Sequence, residues 1–321
     1  MKARRLGRDG PEVSAIGLGC MRMSNMLGGL QPGREADRES IATIDAALDA
    51  GITFLNTGDF YGMGHNETLV ASAIRRRRDE AFISVKCGIQ RTHTGAILGM
   101  DGRPNAIKTF AAYSLQRLGV DVIDLYQPAR ADPSVPYEET IGAVADLITE
   151  GKVRFLGVSE ISVDQLRGAH RTHSVAALEV QYSLANRSIE TTTLPVAREL
   201  GIGIVAWGVV AQGLLAGPTK NIALADDLRA SFPHLQGENL TKNLETVAFL
   251  EDMAEAKGQT PAQLALAWVL SRGGDIVALI GTSRRTRIQD YLRSIDISFS
   301  ADELAALGRA FAPGAIIGKS R

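Results

Sequence analysis

Tyr61 and Lys86 are the two residues whose types and setting point most directly to chemistry. Tyr61 lies in FLNTGDFYGMGHNE (54–67), a polar stretch that begins in an apolar run, and Lys86 ends the apolar run AFISVK (81–86). A lysine at the end of such a run is costly unless paired. A rim salt bridge or a capping tyrosine would account for either residue alone. Together they form an acid–base pair. An ammonium beside a phenol favours the phenolate and lowers the tyrosine pKa from its usual value of about 10. The result is a general acid able to protonate a carbonyl oxygen as hydride arrives. Trp207, ending GIVAW (203–207), offers a flat surface for a planar ring, with ordinary packing as the plainer account. GTSRRTR (281–287) sets Ser283, Arg284 and Arg287 at the start of a helical stretch. Amides, a hydroxyl and guanidinium groups suit a phosphate monoester; a basic surface helix is the alternative.

These residues need elements to hold them. Eight apolar, β-rich runs occur at 15–19, 52–56, 81–86, 122–127, 153–159, 176–181, 203–207 and 276–281. Their continuous apolar character suits parallel strands buried on both faces. Helical patterns fall between them at 37–51, 66–78, 104–119, 135–151, 162–170 and 191–201, then at about 241–257 and 260–272. Several end on glycine, as helices commonly do. The pattern predicts one (β/α)8 TIM barrel spanning 1–321 as a single domain, rather than a doubly wound open sheet. GLGCMRM (17–23) is not the GxGxxG that opens a dinucleotide-binding unit of the open-sheet kind. KARRLGRDGPEVSA (2–15) reads as an N-terminal β-hairpin able to cap the barrel bottom. The stretch 208–240 is long enough to be functional, and 89–103 reads as a polar loop.

Barrel chemistry gathers at the C-terminal ends of the strands. There the sequence sets Gly19, Cys20, Met21 and Arg22; Asn56, Asp59 and Tyr61; Lys86 and Cys87; Gln127, Ala129, Arg130 and Asp132. The remaining strands contribute Ser159 and Glu160; Gln181 and Tyr182; Trp207, Gly208 and Val209; and Thr282, Ser283 and Arg284.

The totals narrow the function classes. In 321 residues the net charge is −1, so no global field draws in nucleic acid or an acidic membrane. RRRR (75–78) reads as a solvated helix end. Two cysteines, Cys20 and Cys87, are too few for a disulfide framework or a cysteine zinc site, and no metal cluster is evident. MKARRLGRDG lacks the apolar core of a signal peptide, and no window has the length of a membrane span. A cytoplasmic protein with a small-molecule partner is expected; the sequence does not give its oligomeric state.

The motifs GLGCMRMS, TGDFYGMGHNE, VKCG, DLYQPARADPSVPYEET, EGKVRFLGVSE, VQYSL, GLLAG, QGENLTKNLE, TPAQLALAWVL and IGTSRRTRI occur in order along almost the whole chain. In this series the sequence resembles the aldo-keto reductases. The resemblance implies a (β/α)8 barrel that binds NADPH/NADP+ across its rim and passes hydride to an aldehyde or ketone. It implies Tyr61 as proton donor and Lys86 as its partner. Ser159 and Gln181 would hold the carboxamide beside Glu160, and Trp207 would stack on the nicotinamide. Gln212, Gly213 and Leu214 would cover the pyrophosphate, while Ser283, Arg284 and Arg287 would face the 2′-phosphate. Cys20, Met21, Gly208, Val209, Thr282 and Asp290 complete the expected cofactor side. Where the family often continues with Glu-Asn, this chain has Asp290-Tyr291.

The chain departs from the family at two catalytic positions. The usual four residues are Asp, Tyr, Lys and His. Five residues before Tyr61 stands Asn56, and Ala129 occupies the histidine position. Asparagine keeps a hydrogen bond but not the charge, so Lys86 is expected to have a lowered pKa unless Asp59 or a cofactor phosphate compensates. Ala129 removes a donor and is expected to leave space, for water or for a bulkier substrate, beside Arg22 and Arg130. Asp132 is the expected mate of Arg130, and Asn66 the expected cap of the second helix. The alternative to a reductase is an NADP-binding redox sensor or interaction protein, like the potassium-channel β subunits of the superfamily.

Overall fold

The apolar runs form the strands expected of them. The computed structural model describes residues 1–24, 31–217 and 232–318. In chain order the strands are β1 (Ala3–Arg5), β2 (Glu12–Ser14), β3 (Ile16–Gly19), β4 (Phe54–Gly58), β5 (Phe82–Cys87), β6 (Ile89–Arg91), β7 (Ile97–Met100), β8 (Ile123–Pro128), β9 (Val153–Ser159), β10 (Val175–Gln181), β11 (Gly203–Trp207) and β12 (Ile276–Gly281). Strands β3, β4, β5 and β8 to β12 close a barrel in sequence order, each pair parallel. Buried on both faces, they carry no polar alternation, which explains their apolar runs.

Helices cover the outside: α1 (Arg34–Asp49), α2 (His65–Ile74), α3 (Pro104–Leu118), α4 (Tyr137–Thr149), α5 (Val163–Thr172), α6 (Thr193–Leu200), α7 (Gly237–Ala256), α8 (Pro261–Ser271), α9 (Thr286–Leu292) and α10 (Ala301–Ala310). Capping boxes start three of them, at Ser162 with Gln165, Thr260 with Gln263 and Ser300 with Glu303. Strands β1 and β2 pair antiparallel, as the sequence predicts. Leu6 and Val13 of this hairpin are buried against Phe54, Leu125, Ala177, Val205 and Val277, which plugs the barrel bottom.

Three local expectations are corrected. The stretch 89–103 is not wholly loop: β6 and β7 form an antiparallel hairpin at the mouth. Helix α2 ends at Ile74 instead of running through RRRR. Arg77 leaves it to bind Asp49 and Glu80, and Arg78 joins Arg154 on Asp124. The run is thus partly spent on fastening α1 and β8. Helix α10 follows 281–287 as a separate element that the sequence reading lacks. Within 208–240, residues 218–231 lie outside the described residues.

Candidate active site

Two charges inside apolar strands meet in the barrel. Lys86 on β5 is 5% exposed and Glu179 on β10 is 4% exposed. The Lys86 ammonium donates to Glu179 Oε1 at 2.9 Å and Oε2 at 3.3 Å. Asn56 on β4 bridges them. Its Oδ1 accepts from Lys86 Nζ at 2.5 Å, and its Nδ2 donates to Glu179 Oε2 at 2.7 Å. Gln127 on β8 also donates to Glu179 Oε2, at 2.6 Å. Ser84 Oγ accepts from Gln127 Nε2 at 3.1 Å and from Asn56 Nδ2 at 3.3 Å. Room for Gln127 comes from Gly157: a Cβ there would lie 3.0 Å from its Oε1 and 3.1 Å from its Cβ.

This network corrects the expectation for Lys86. Burial pushes its pKa down, but the Glu179 carboxylate and then Tyr61 outweigh burial, and the pKa is raised above the usual lysine value. The compensating charge is Glu179, not Asp59. Sequence reasoning missed Glu179, although a carboxylate within the run AALEV (176–180) is the same signal that singled out Lys86.

Tyr61 is buried in a turn after β4, and Lys86 Nζ lies 5.3 Å from its ring centroid. The phenol pKa is raised, not lowered as the sequence reading expects. Burial dominates, and Lys86 offsets it only in part. Phe60 packs edge-on against Tyr61, with centroids 4.7 Å apart. Ala129 completes an apolar cluster with these two rings, against which Met21, Ile89 and Met100 pack. At 1% exposure, Ala129 faces these side chains, not the open space expected there. Arg91 ties the β6–β7 hairpin to the tyrosine turn by donating to the Phe60 carbonyl at 2.9 Å.

Neighbouring polar residues have other tasks. Asn66 does not cap α2. Fully buried, its side chain accepts from Thr57 Oγ1 and donates to the Cys20 carbonyl and Ser24 Oγ. His65 contacts Ser24 Oγ at 2.9 Å and Asp37 at 3.1 Å. Arg130 donates to the Ala129 carbonyl at 2.6 Å. Asp132 is not its mate and instead accepts from Gly102 N, Ser134 N and Ser134 Oγ. Cys20 is buried, and burial pushes its thiol up to about 12 despite Lys86; burial also raises Cys87.

The expected cofactor residues line one side of the same rim. Ser159 is in register with Glu179, and Gln181 with Trp207. Glu160 takes a positive φ of 49°, and its Oε1 accepts from Trp207 Nε1 at 2.6 Å and from Gln181 N at 2.7 Å. Ala211 and Gln212 also have positive φ, 47° and 54°. Such strain in residues other than glycine clusters at ligand sites. The side chains of Val209 and Leu214 are buried in the core. Gln212 Oε1 is buried with no hydrogen-bond partner among the described residues. Thr282 Oγ1 accepts from Arg284 N at 3.1 Å, and the Asp290 carbonyl from Gln263 Nε2 at 2.8 Å. Ser283 is half-buried, while Arg284 and Arg287 are exposed. Among the described residues no group of three or more metal-ligating side chains occurs, and no helix is long and apolar enough to cross a membrane.

Comparison with known proteins gives a concordant picture. The profile of the Aldo/keto reductase family matches residues 15–310. A protein of Glycine max named "Probable aldo-keto reductase 1" is 37% identical over 317 residues, 98% of this chain and 90% of its own length. Among solved structures, the glycerol dehydrogenase of Gluconobacter oxydans superposes with a TM-score of 0.88 at 28% identity, covering 99% of this chain and 97% of its own. An aldo/keto reductase of Klebsiella pneumoniae in complex with NADP and acetate gives 0.76 at 27% identity, covering 97% and 95%.

Proposed function

The chain belongs to the aldo/keto reductase family, and on that premise we propose that it reduces an aldehyde or ketone with NADPH, Tyr61 giving the proton and Lys86 supporting it. The observation that carries this reading is the buried Tyr61 phenol beside the ion-paired Lys86 ammonium. The Klebsiella relative solved with NADP supports the choice of cofactor.

The residues present fit such a cofactor. The unpartnered Gln212 amide oxygen and the strained Glu160–Gln212 rim offer polar atoms to a large ligand. Ser159 and Gln181 would hold the carboxamide and Trp207 would stack on the ring. The backbone at Gly208, Val209, Gly213 and Leu214 would follow the pyrophosphate. Ser283, Arg284 and Arg287 would meet the 2′-phosphate with a hydroxyl and two guanidinium groups. When bound, NADPH supplies the hydride that the carbonyl carbon receives.

The chain's own residues manage the proton. Burial keeps the Tyr61 phenol protonated, the form that reduction consumes. As negative charge develops on the carbonyl oxygen, Tyr61 gives it the proton. The Lys86 ammonium, buried and therefore weakly screened, stabilises the phenolate left behind. Met21, Phe60, Ile89 and Met100 around Ala129 favour a substrate that is apolar beside its carbonyl. A Tyr61→Phe enzyme is expected to lose about 10²–10⁴ in kcat at unchanged NADPH affinity. An unchanged kcat would refute the tyrosine acid.

The apolar wall at Ala129 also favours a second reading, in which the chain binds NADP as a redox sensor with little turnover. Tight NADPH binding, with no oxidation by any carbonyl across an aldehyde and ketone panel, would select it.

A further inference from the structure

We propose that Glu179 supplies from β10 the negative charge that Asn56 cannot supply from β4, and that Asn56 is the neutral bridge this arrangement requires. The proposal rests on the acid role of Tyr61 and the supporting role of Lys86.

The geometry carries it. Lys86 is almost fully buried, and a buried ammonium without a counter-charge sheds its proton. Both Glu179 oxygens lie within 3.3 Å of Lys86 Nζ. Asn56 contacts the two charges with opposite ends of one amide: its carbonyl accepts from the ammonium and its NH₂ donates to the carboxylate. Asparagine can do this because it is both donor and acceptor. An ionised aspartate in its place would set an oxygen against Glu179 Oε2 at the 2.7 Å now spanned by a hydrogen bond. Two carboxylates so close cannot both ionise. Residues 56 and 179 are therefore one device, with one charge shared between two positions.

Other elements are consistent with this assignment. Gln127 on β8 donates to Glu179 and fixes its orientation. Among the described residues, Cys20 after β3, which burial keeps as a thiol, and Arg130 after β8, which favours the phenolate, also bear on this pair. Neither is a carboxylate. Glu179 touches Lys86 and not the reacting atoms expected beyond Tyr61, so it is a positioning residue.

The test follows the charge between the two positions. Nζ and Cε resonances of isotopically labelled lysine, assigned with Lys86→Met, report the Lys86 titration without any turnover. The kcat–pH profile for NADPH with an aromatic aldehyde reports its consequence. Glu179→Gln is expected to lower the Lys86 pKa by about one to three units. The alkaline limb of kcat should move down by the same roughly one to three units, so the loss grows as pH rises above about 8 and is small at pH 6. Asn56→Asp with Glu179→Gln is expected to restore both. A Lys86 titration unchanged by Glu179→Gln overturns the proposal. So does a large gain in kcat from Asn56→Asp alone, a variant that stays informative should Glu179→Gln fail to fold. Full activity in Tyr61→Phe, with the Lys86 titration still tied to residue 179, would overturn the proposed function and leave the ion pair standing.

Discussion

Two clusters of buried charge lie on opposite sides of the β4–β5 wall, and they are built differently. Inside the barrel, Lys86, Glu179, Asn56 and Gln127 form a paired network next to Tyr61. Outside, Glu67 on α2 bonds Arg117 on α3, with Asp59 close by. Arg117 passes over Gly64, where a Cβ would lie 2.7 Å from its Cδ and where φ is +93°. The inner cluster pairs both of its charges, leaves the neutral Gln127 Oε1 without a partner among the described residues, and offers its cation to a buried phenol. The outer one joins two helices and leaves Asp59 Oδ1 buried with no partner among the described residues. Burial, then Glu67, raises the Asp59 pKa to about 8. Burial also raises Glu67, against its pairing with Arg117. Buried charge alone therefore does not mark a catalytic site; what sets the proposed one apart is a paired cation beside a buried phenol.

The comparison can be broken most sharply at the cations. Lys86→Met should abolish most turnover, a loss of about 10²–10⁴ in kcat, read by NADPH oxidation. Because it also strands Glu179, urea unfolding should show a cost in stability as well. Arg117→Met should do the reverse. Removing one partner of a largely buried pair costs about 3 kcal/mol of stability, while kcat per folded molecule stays near the parent value. Comparable kcat losses in the two variants would erase the distinction.

A subtler contrast lies in pH. Asp59 keeps its proton in the fold while the unfolded chain ionises near pH 4, so its contribution to stability is full below that pH and declines as pH rises to about 8. Asp59→Asn should lose less stability than the parent between pH 5 and pH 8, as measured by thermal melts. An identical slope would place Asp59 outside the titrating set. The smallest expected effect concerns exposed cations. Arg284→Ala and Arg287→Ala should each weaken NADPH about tenfold and NADH little, since a charge-assisted bond to a phosphate is at stake. Equal losses for both cofactors would remove the 2′-phosphate assignment.

How much of this was legible depended on burial. The eight barrel strands are visible because strands covered on both faces must be apolar throughout. Tyr61 and Lys86 are visible because polar groups at the ends of such runs need a reason. Glu179 carried the same signal two residues inside its strand, but spacing along the chain does not say that β10 faces β4 and β5 across the barrel. The β6–β7 hairpin was hidden by its composition: QRTHTGAILGM is polar and glycine-containing, and Ile97 and Leu98 at the start of β7 are exposed. For α10 the capping signal Ser300–Glu303 was present but not read. The pKa directions for Tyr61 and Lys86 failed for one physical reason. Sequence gives the neighbours along a strand, while desolvation and cross-barrel charge set the proton affinity.

The central claim is that Tyr61 gives the proton in a working reductase. Single-turnover oxidation of pre-bound NADPH, followed by fluorescence after mixing with an aldehyde, isolates that step from product release. The account predicts a rapid single phase in the wild type and a slowing of about 10²–10⁴ in Tyr61→Phe. Equal rates in the two proteins would contradict it.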